Sequence, residues 1–265
     1  MTRLTETDII DVVDYLKKLD DELKTACNAS FKNIVMRASG IDETSFKSLK
    51  TSVVPITSGL GIIGGFSHAV CEILKYIGAD AYVCDSTDVD GIYNSIKEGH
   101  CFFSADDNRF TAYNPLNGRI SDNGDATGRG FAAALELAAN GIKDKTVLVA
   151  GAGPVGISAA KYLHKAGAEI ILFDIDKEKL QNSEYRTCTS LGDEKYSYVI
   201  EATTSSKVIT EKNLTDTAVV SAPGMPLGLE KKLAQRLKSE GRLIHNPLEL
   251  GTAVMYTDLL LKQEF

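Results

Sequence analysis

One segment, residues 145–176, constrains the fold of this chain more than any other part of the sequence. The apolar strand pattern Thr146–Ala150 ends in the glycine pattern G-x-G-x-x-G, and a helical pattern follows over Pro154–Ala166. A second strand pattern, Glu169–Phe173, ends in an aspartate. This order predicts a strand, a tight turn, a helix and a parallel strand, the unit that binds a dinucleotide pyrophosphate. The residues assigned to the turn are Gly151, Gly153, Pro154, Val155 and Gly156.

The aspartate at the end of the second strand, Asp174, indicates which dinucleotide the unit prefers. A carboxylate at this point accepts hydrogen bonds from ribose hydroxyls and repels a 2′-phosphate. The next residues, Ile175 and Asp176, supply no arginine for such a phosphate. The sequence therefore predicts NAD as the cofactor. The alternative is a glycine-rich turn of an α/β fold that binds no ligand.

A second glycine pattern, Gly59–Gly64, also follows a strand pattern and precedes a helix, and Asp85 ends the next strand. The segments that follow distinguish the two patterns. After the first, short strands end in small or polar residues that suit the floor of a nicotinamide site: Thr203, Ala222 and Pro223. After Gly59–Gly64 comes a predicted hairpin with Asp106 and Asp107. We interpret Gly59–Gly64 as a substrate loop with Ser58 at its entrance; a purely structural turn is the alternative.

Strand and helix patterns alternate along the chain, which predicts an α/β fold with parallel sheets covered by helices. Residues 1–127 are expected to form an N-terminal α/β substrate lobe. Residues 128–265 are expected to form a connecting helix and a Rossmann-type doubly wound parallel sheet. Asn114–Thr127 is predicted to be a loop and Gly130–Ile142 the connecting helix. The C-terminal helix, Gly251–Leu261, is expected to pack back on the first lobe.

Composition argues against several classes of function. The net charge of −7 and the pI near 5.2 provide no basic surplus for nucleic acid or an anionic membrane. No apolar run approaches the roughly 20 residues that cross a bilayer, and the N-terminus lacks the layout of a signal peptide. The five scattered cysteines and the four histidines show no metal-ligand spacing, so no metal is expected and a reducing cytoplasm is the predicted location. The sequence predicts no particular oligomeric state.

Several short motifs, in this order along the chain, resemble one enzyme family. They are PITSGLGIIGGFS, DVDGIY, SADDNRFTAYN, TGRGFAAALELAA, the dinucleotide segment, APGMP and PLELGTAVMY, and they spread from Val53 to Tyr256. The family they resemble is pyrrolysine synthase. The resemblance implies an NAD-dependent dehydrogenase that acts on the terminal amine of lysine-Nε-3-methyl-D-ornithine. Oxidation to an imine, loss of ammonia and ring closure would then give pyrrolysine.

The resemblance also implies roles for residues at the matching motif positions. Asp106 would be the catalytic carboxylate, as an electrostatic anchor or proton acceptor for the substrate amine; a hairpin-turn aspartate is the alternative. Ser58 and Asn123 would bind polar groups of the substrate. The family pattern has a glutamate before the Pro-Leu of its last motif, where this chain has Asn246, so Glu249 could supply the charge instead. The N-terminal helix, with Leu4 ahead of it, could close over the substrate.

Two other functions compete with this interpretation. A two-lobe NAD-dependent dehydrogenase of the shikimate or methylene-tetrahydrofolate type, or another amino-acid or amine dehydrogenase, would share the cofactor unit. The shikimate and methylene-tetrahydrofolate types need a catalytic lysine in the first lobe, and no lysine lies beside the TSG or ADD turns. A non-catalytic NAD-sensing domain would bind cofactor without turnover.

Overall fold

The computed structural model describes residues 4–9 and 12–261, except the side chains of Asp8 and Val13. The described chain divides into two compact units. The first unit contains the N-terminal residues up to Leu19, Val35–Ala126 and the chain from Pro247 onward. The second contains Asp20–Ile34 and Thr127–Asn246. Both units are built from strands and helices, which confirms the predicted α/β class.

The N-terminal region is helical, as its apolar spacing predicts. Helix α1 covers Glu6–Ile9, α2 covers Val12–Cys27 and α3 covers Phe31–Ser39. The sequence predicts one helix over the region of α1 and α2 and a second helical piece over residues 30–38; residues 10 and 11 lie outside the described part of the chain. The leucines of α2 at helical spacing are almost fully buried: Leu16, Leu19 and Leu23. The helix is therefore oriented by burial of one apolar face.

The first unit contains a five-stranded mixed sheet. Its strands are β1 (Lys50–Val54), β2 (Asp80–Val83), β3 (Cys101–Ala105), β4 (Phe110–Asn114) and β5 (Arg119–Asp122). Their order in the sheet is β2-β1-β3-β4-β5. Strand β1 runs parallel to both its neighbours, β2 and β3, whereas β4 runs antiparallel to both of its neighbours, β3 and β5. The parallel strands are connected by α4 (Phe66–Ile77) and α5 (Asp88–Lys97). The pairing of β3 with β4 confirms the predicted hairpin.

The prediction of a loop over Asn114–Thr127 is wrong. Part of that segment is strand β5, and helix α6 begins at Asn123 and continues to Ala138. The low apolar content is explained by position, because β5 lies at the edge of the sheet and is buried fully only at Ser121. The helix start is specified by Asp122, whose Oδ1 accepts the N–H of Gly124 at 2.9 Å.

The second unit contains a six-stranded parallel sheet of the Rossmann type. Its strands are β6 (Thr146–Ala150), β7 (Glu169–Phe173), β8 (Arg186–Cys188), β9 (Tyr196–Glu201), β10 (Leu214–Ser221) and β11 (Leu243–Ile244). The order β11-β10-β9-β6-β7-β8 is the doubly wound 3-2-1-4-5-6 arrangement. Helix α7 (Pro154–Lys165) follows β6, and α8 (Lys231–Ser239) packs beside β11. The carboxyl ends of β6, β9 and β10 form the edge where such sheets bind ligands.

The last helix, α9 (Glu249–Leu260), belongs to the first unit and is buried along nearly its whole length. It packs against α4, β4 and β5. Asp258 accepts a hydrogen bond from the Ser121 hydroxyl at 2.6 Å, and Asn114 donates to the carbonyl of Leu259 at 3.0 Å. Among the described residues, no helix is both long and apolar enough to cross a membrane.

Candidate active site

The turn after β6 has the geometry that a dinucleotide pyrophosphate requires. Gly151 has a φ of 102°, and a Cβ on it would lie 2.5 Å from the carbonyl oxygen of Ala202. A Cβ on Gly156 would collide with the carbonyl of Gly151. Gly153, by contrast, has nothing within 4 Å of the position of its missing Cβ. Two glycines therefore serve close packing, and the middle one leaves open space before the α7 N-terminus.

Asp174, immediately after β7, holds this turn from the side. Its carboxylate is 8% exposed; Oδ2 accepts the N–H of Ala152 and Oδ1 the N–H of Asp176, both at 2.9 Å. The ammonium of Lys179 lies 3.6 Å from Oδ2. A carboxylate has about four acceptor positions, so two backbone donors leave capacity for ribose hydroxyls. These surroundings fit the ribose end of a dinucleotide.

The residues expected at the nicotinamide floor follow β9 and β10. Thr203 is fixed by hydrogen bonds from its N–H and hydroxyl to Glu201. Ala222 is fully buried; its N–H donates to Ile244 at 2.8 Å, and Pro223 beside it is half-buried. Both strand ends lie at the ligand-binding edge of the sheet, so they can form one surface of a cofactor site.

His245 lies just beyond β11 and contacts the same floor. Its Nδ1 is 2.7 Å from the carbonyl oxygen of Ala222. A carbonyl only accepts, so Nδ1 carries the proton and Nε2 is left as an acceptor. Burial lowers the pKa of this imidazole, with an opposing contribution from the bond to Ala222. His245 is therefore neutral at neutral pH.

In the first unit, the Gly59–Gly64 loop differs from a dinucleotide turn. Helix α4 begins only at Phe66, so the loop does not run directly into a helix N-terminus. The N–H of Leu60 donates to Asp107 Oδ2 at 2.7 Å, and a Cβ on Gly59 would collide with that carboxylate. Ser58 is exposed in the turn that opens the loop. The loop is therefore attached to the β3–β4 hairpin, which fits a substrate loop better than a pyrophosphate site.

The DVDGIY motif stabilises the same turn. Asp88 accepts the N–H of Thr57 at 2.8 Å and its hydroxyl at 2.7 Å. Gly91 allows α5 to approach β1, because a Cβ on it would lie 2.6 Å from Val54 Cγ1 and from the carbonyl oxygen of Ser86. The sequence patterns predicted no role for Asp88 or Gly91. Both belong to the DVDGIY motif, whose match to the family was the one sign of their importance.

Asp106 lies in the β3–β4 turn and organises it. Its Oδ1 accepts the N–H groups of Asn108 at 2.8 Å and Arg109 at 2.7 Å, and these bonds hold the pKa of the carboxyl below its ordinary value. The side chain is exposed. Asp106 therefore has the contacts of a turn aspartate, and its carboxylate is ionised and open to solvent.

Asn123 is the first residue of α6 and thus not the loop residue that the sequence predicts. It is half-buried, and its Nδ2 lies 3.5 Å from the sulfur of Met255 in α9. Met255 is six residues beyond Glu249, about 9 Å along the helix axis. Leu4, half-buried, lies ahead of α1 rather than within a helix.

Glu249, the first residue of α9, is fully buried. Its Oε2 accepts the N–H of Leu248 at 3.0 Å, whereas Oε1 has no hydrogen-bond partner within residues 4–9 and 12–261. The hydroxyl of Thr252, one turn further on, is in the same situation. Burial raises the pKa of the Glu249 carboxyl. Asn246 is also buried, at 3% exposure, and ends the second unit.

Comparison with known proteins identifies the family. Residues 8–121 match the family described as "Pyrrolysine biosynthesis protein PylD, N-terminal domain". The chain is 34% identical to pyrrolysine synthase from Methanosarcina barkeri, over 98% of each chain. This chain belongs to the pyrrolysine synthase family. A second pyrrolysine synthase, from Methanosarcina acetivorans, is 32% identical over 98% of this chain and 100% of its own.

Family membership confirms the resemblance found in the short motifs. Residues 126–233 match "Alanine dehydrogenase/PNT, C-terminal domain", so the Rossmann unit of this pyrrolysine synthase relative is a nicotinamide-cofactor domain and the chain is a dehydrogenase. No group of three or more His, Cys, Asp or Glu side chains that could hold a metal occurs in the described part of the chain.

Solved structures share the fold at low sequence identity. Quinate dehydrogenase from Corynebacterium glutamicum in complex with NAD aligns with a TM-score of 0.51 and 14% identity, over 80% of this chain and 92% of that one. Shikimate 5-dehydrogenase from Thermus thermophilus, in complex with NADP(H) and shikimate, aligns with a TM-score of 0.50 and 16% identity, over 79% and 91%. The two hold different nicotinamide cofactors, so the choice of cofactor in this chain has to be argued from its own residues.

Proposed function

We propose that this chain is an NAD-dependent amine dehydrogenase that converts lysine-Nε-3-methyl-D-ornithine to pyrrolysine. The proposal is supported by the presence, in one chain, of a cofactor-binding unit and of the substrate-lobe motifs of this family. The second unit has a glycine turn with open space at Gly153 and a buried carboxylate at Asp174. The first unit has the substrate-lobe motifs, which the family match covers over residues 8–121.

The preference for NAD rests on the surroundings of Asp174. Its carboxylate is held by two backbone N–H groups beside the glycine turn, so it cannot swing away from an arriving ribose. A 2′-phosphate there would face a fixed negative charge. The neighbouring cation, Lys179, lies 3.6 Å from the same carboxylate. The fixed carboxylate therefore favours NAD over NADP, and it engages Lys179 as its own counter-ion.

The proposed reaction begins with an unprotonated terminal amine, because an ammonium cannot release hydride from its carbon. NAD, held by the glycine turn and Asp174, would supply the hydride acceptor, and loss of hydride would convert the substrate to an imine. Water then replaces ammonia at the imine carbon, and the ornithine α-amine attacks the same carbon with loss of water. The products are pyrrolysine, ammonia, NADH and one proton. The chain itself has to orient the amine, receive its proton and limit the access of bulk water.

Two carboxylates of the first unit suit different parts of this task. Asp106 has a lowered pKa and stays ionised, which makes it a weak proton acceptor and a good electrostatic anchor for an ammonium. Glu249 has a raised pKa and an unpaired Oε1, which suits a group that accepts a proton. We therefore assign Asp106 to anchoring and Glu249 to amine recognition and proton acceptance.

The remaining substrate contacts are assigned by their positions. The exposed hydroxyl of Ser58 would bind a polar group of the substrate, and the amide of Asn123, at the start of α6, would provide a second polar contact. The amide of Asn246 would accompany Glu249 where the family pattern has an acidic residue. Leu4 would cover the apolar part of the substrate.

The direct test supplies lysine-Nε-3-methyl-D-ornithine and NAD to the purified protein. We expect formation of NADH together with a product lighter by ammonia and two hydrogens, detected by absorbance and mass spectrometry. An analogue that lacks the terminal amine should give no NADH. Turnover only with a different amine would refute the substrate assignment, and cofactor binding without turnover of any amine would favour an NAD-sensing domain.

Asp106→Asn tests the anchoring role. Asparagine Oδ1 can still accept the two backbone N–H groups of the turn, so the hairpin should persist while the charge is lost. We expect turnover to fall about 100-fold, the scale for misplacing a reacting group, with an unchanged Kd for NAD. Asp42→Asn is the matched control, because Asp42 also accepts a backbone N–H, from Ser45 at 2.8 Å, in an exposed turn. Equal activity of both variants would make Asp106 a structural residue only.

A further inference from the structure

A buried carboxylate at the end of β9, Glu201, has no role in the scheme above. It is fully buried, and no ion pair with it occurs among the described residues. Instead three uncharged donors converge on it: the N–H and hydroxyl of Thr203 on Oε1, at 2.9 and 2.5 Å, and the N–H of Gly228 on Oε2, at 2.9 Å. Burial raises the pKa of the Glu201 carboxyl, and these three hydrogen bonds oppose that shift because each favours the ionised form.

The loop after β10 closes around this carboxylate. A Cβ on Gly224 or on Gly228 would collide with the Glu201 carboxyl group. The N–H of Gly224 donates to the backbone carbonyl of Glu201 at 2.9 Å. The glycines of the APGMPLG segment are therefore explained by close approach of the backbone to one side chain. Residues 224–228 are fixed to β9 through Glu201 at both ends.

The segments that Glu201 joins are those expected to face the nicotinamide. Thr203 follows β9 and Ala222 follows β10, and these neighbouring parallel strands end at the same edge of the sheet. Ala202, next to Glu201, also touches the glycine turn, since a Cβ on Gly151 would lie 2.5 Å from its carbonyl oxygen. The Glu201 side chain thus connects the loops after β9 and β10, and the backbone of the next residue contacts the glycine turn.

We propose that Glu201 is a positioning residue for the nicotinamide half of the cofactor: its carboxylate holds the loops after β9 and β10 in the arrangement that orients the ring for hydride transfer. This inference rests on the proposed cofactor role of the second unit, and it is independent of which amine is oxidised. The adenine half would be held elsewhere, around Asp174 and the α7 N-terminus. An effect confined to the nicotinamide half is therefore the signature of this role.

Glu201→Gln is the first variant. An amide can direct its oxygen toward only one set of donors, so its NH2 group would face either the N–H of Gly228 or the donors of Thr203. We expect the Kd for ADP-ribose, which lacks the nicotinamide, to stay within about twofold, while the Kd for NADH rises and kcat falls about tenfold or more. Isothermal titration with the two ligands measures the difference without any substrate.

A matched control separates positioning from general destabilisation. Glu136 in α6 is another largely buried carboxylate of the second unit and accepts the hydroxyl of Tyr162 at 2.8 Å. We expect Glu136→Gln to lower thermal stability without changing the ratio of the two Kd values. If Glu201→Gln weakens ADP-ribose and NADH equally, or changes neither, the proposed role is refuted.

A second variant covers the case in which Glu201→Gln does not fold. Gly228→Ala retains the carboxylate and pushes the loop away from it, so the same selective loss of NADH affinity is expected. An unchanged ratio of ADP-ribose to NADH affinity in Gly228→Ala would also refute the proposal. A failure of both ligands to bind the unmodified protein would instead refute the cofactor assignment itself, so the two failures are distinguishable.

Discussion

The carboxylate of Asp174 contacts two backbone N–H groups and one ammonium group, and these contacts affect which cofactor can bind. Its two oxygens each accept one backbone N–H, from Ala152 and Asp176. The ammonium of Lys179 lies close to Oδ2 and is half-exposed. The carboxylate therefore both shapes the glycine turn and keeps a nearby cation engaged. Removing it would change the turn, the ribose contacts and the charge available to a phosphate together.

Asp174→Ala is expected to weaken NAD binding by roughly 1–3 kcal/mol, the range for losing hydrogen bonds to a charged group. The relative affinity for NADP should increase, because Lys179 would be released to pair with a 2′-phosphate. Titration calorimetry with both cofactors measures the two values. The double variant Asp174→Ala with Lys179→Ala should lose the gain for NADP. An unchanged Kd for NAD in the single variant would contradict the ribose assignment.

Glu249 makes a prediction about pH and stability. Burial raises its folded-state pKa above the ordinary value of 4.5, so the folded protein binds the proton more tightly than the unfolded chain. Its contribution to stability is therefore fully present below the unfolded pKa and is lost as pH rises through the folded pKa. Glu249→Gln retains an acceptor for the N–H of Leu248 and removes the titration.

The free energy of unfolding of Glu249→Gln relative to the unmodified protein should increase with pH above 4.5. The expected slope is about 1.4 kcal/mol per pH unit until the folded pKa is reached. Urea unfolding at a series of pH values measures it. A difference between the two proteins that does not vary with pH would contradict the raised pKa.

At the scale of elements, the contact between α6 and α7 depends on one glycine. A Cβ on Gly128 would collide with the carbonyl of Val155, and it would lie 2.6 Å from Ser158 Cβ and 2.9 Å from Ala159 N. The TGRG motif therefore lets α6 lie directly on the first turns of the helix that carries the cofactor site. TGRG is one of the motifs that carry the family resemblance, but the sequence alone does not show why glycine is needed at position 128.

Gly128→Ala should lower the free energy of unfolding by about 1–3 kcal/mol, the usual cost of overpacking. The matched control is Gly153→Ala, where the new Cβ meets nothing within 4 Å and φ is −79°. We expect this control to keep its stability and to lose affinity for NAD, because the new methyl group occupies space needed by the pyrophosphate. Denaturant unfolding and cofactor titration on both variants check the contrast. Equal stability of the two variants would contradict the packing argument.

Local patterns predicted most elements, and the exceptions have physical reasons. The hairpin of β3 and β4 was predicted correctly because alternating apolar residues flank a turn with Asp and Asn. Strand β5 and the start of α6 were missed, because an edge strand needs few apolar residues and a helix that begins NGDATGRG has weak local propensity. Long-range contacts stabilise both: Asn123 approaches Met255 and Ser121 bonds to Asp258.

The two units of the molecule do not coincide with two continuous stretches of chain. Residues 20–34 belong to the second unit, and the chain from Pro247 belongs to the first. The cofactor contacts proposed above all lie within the second unit. Because a ligand that binds only the folded state stabilises it by mass action, cofactor binding should be visible as protection of that unit.

NAD at about 100 times its Kd should raise the free energy of unfolding of the second unit by about 2.7 kcal/mol. Hydrogen exchange followed by mass spectrometry is the measurement, and we expect the largest slowing at amides in β6, α7 and β9 and in the turn after β7. Asp174→Ala, tested at the same NAD concentration, should show less slowing. Absence of protection in these segments at saturating NAD would contradict the location of the site.

The order of amino acids alone specifies the Rossmann unit, the position of its glycine turn and the place of Asp174 directly after β7. These features are local: strand, turn and helix follow one another within residues 145–176, and each glycine has a steric reason that spacing reveals. The same locality allowed the Gly59–Gly64 pattern to imitate a cofactor turn. Its bond to Asp107 and the delayed start of α4 distinguish it in three dimensions.

Only the tertiary structure decided which carboxylates are buried and what surrounds them. Asp106 and Glu249 look alike in a sequence, yet one is exposed with a lowered pKa and the other is buried with a raised one. Glu201 ends an ordinary strand pattern, and its three donors come from residues up to 27 positions away. The bonds that lower the pKa of Asp106 come from residues two and three positions on, whereas the burial that raises the pKa of Glu249 depends on the tertiary structure.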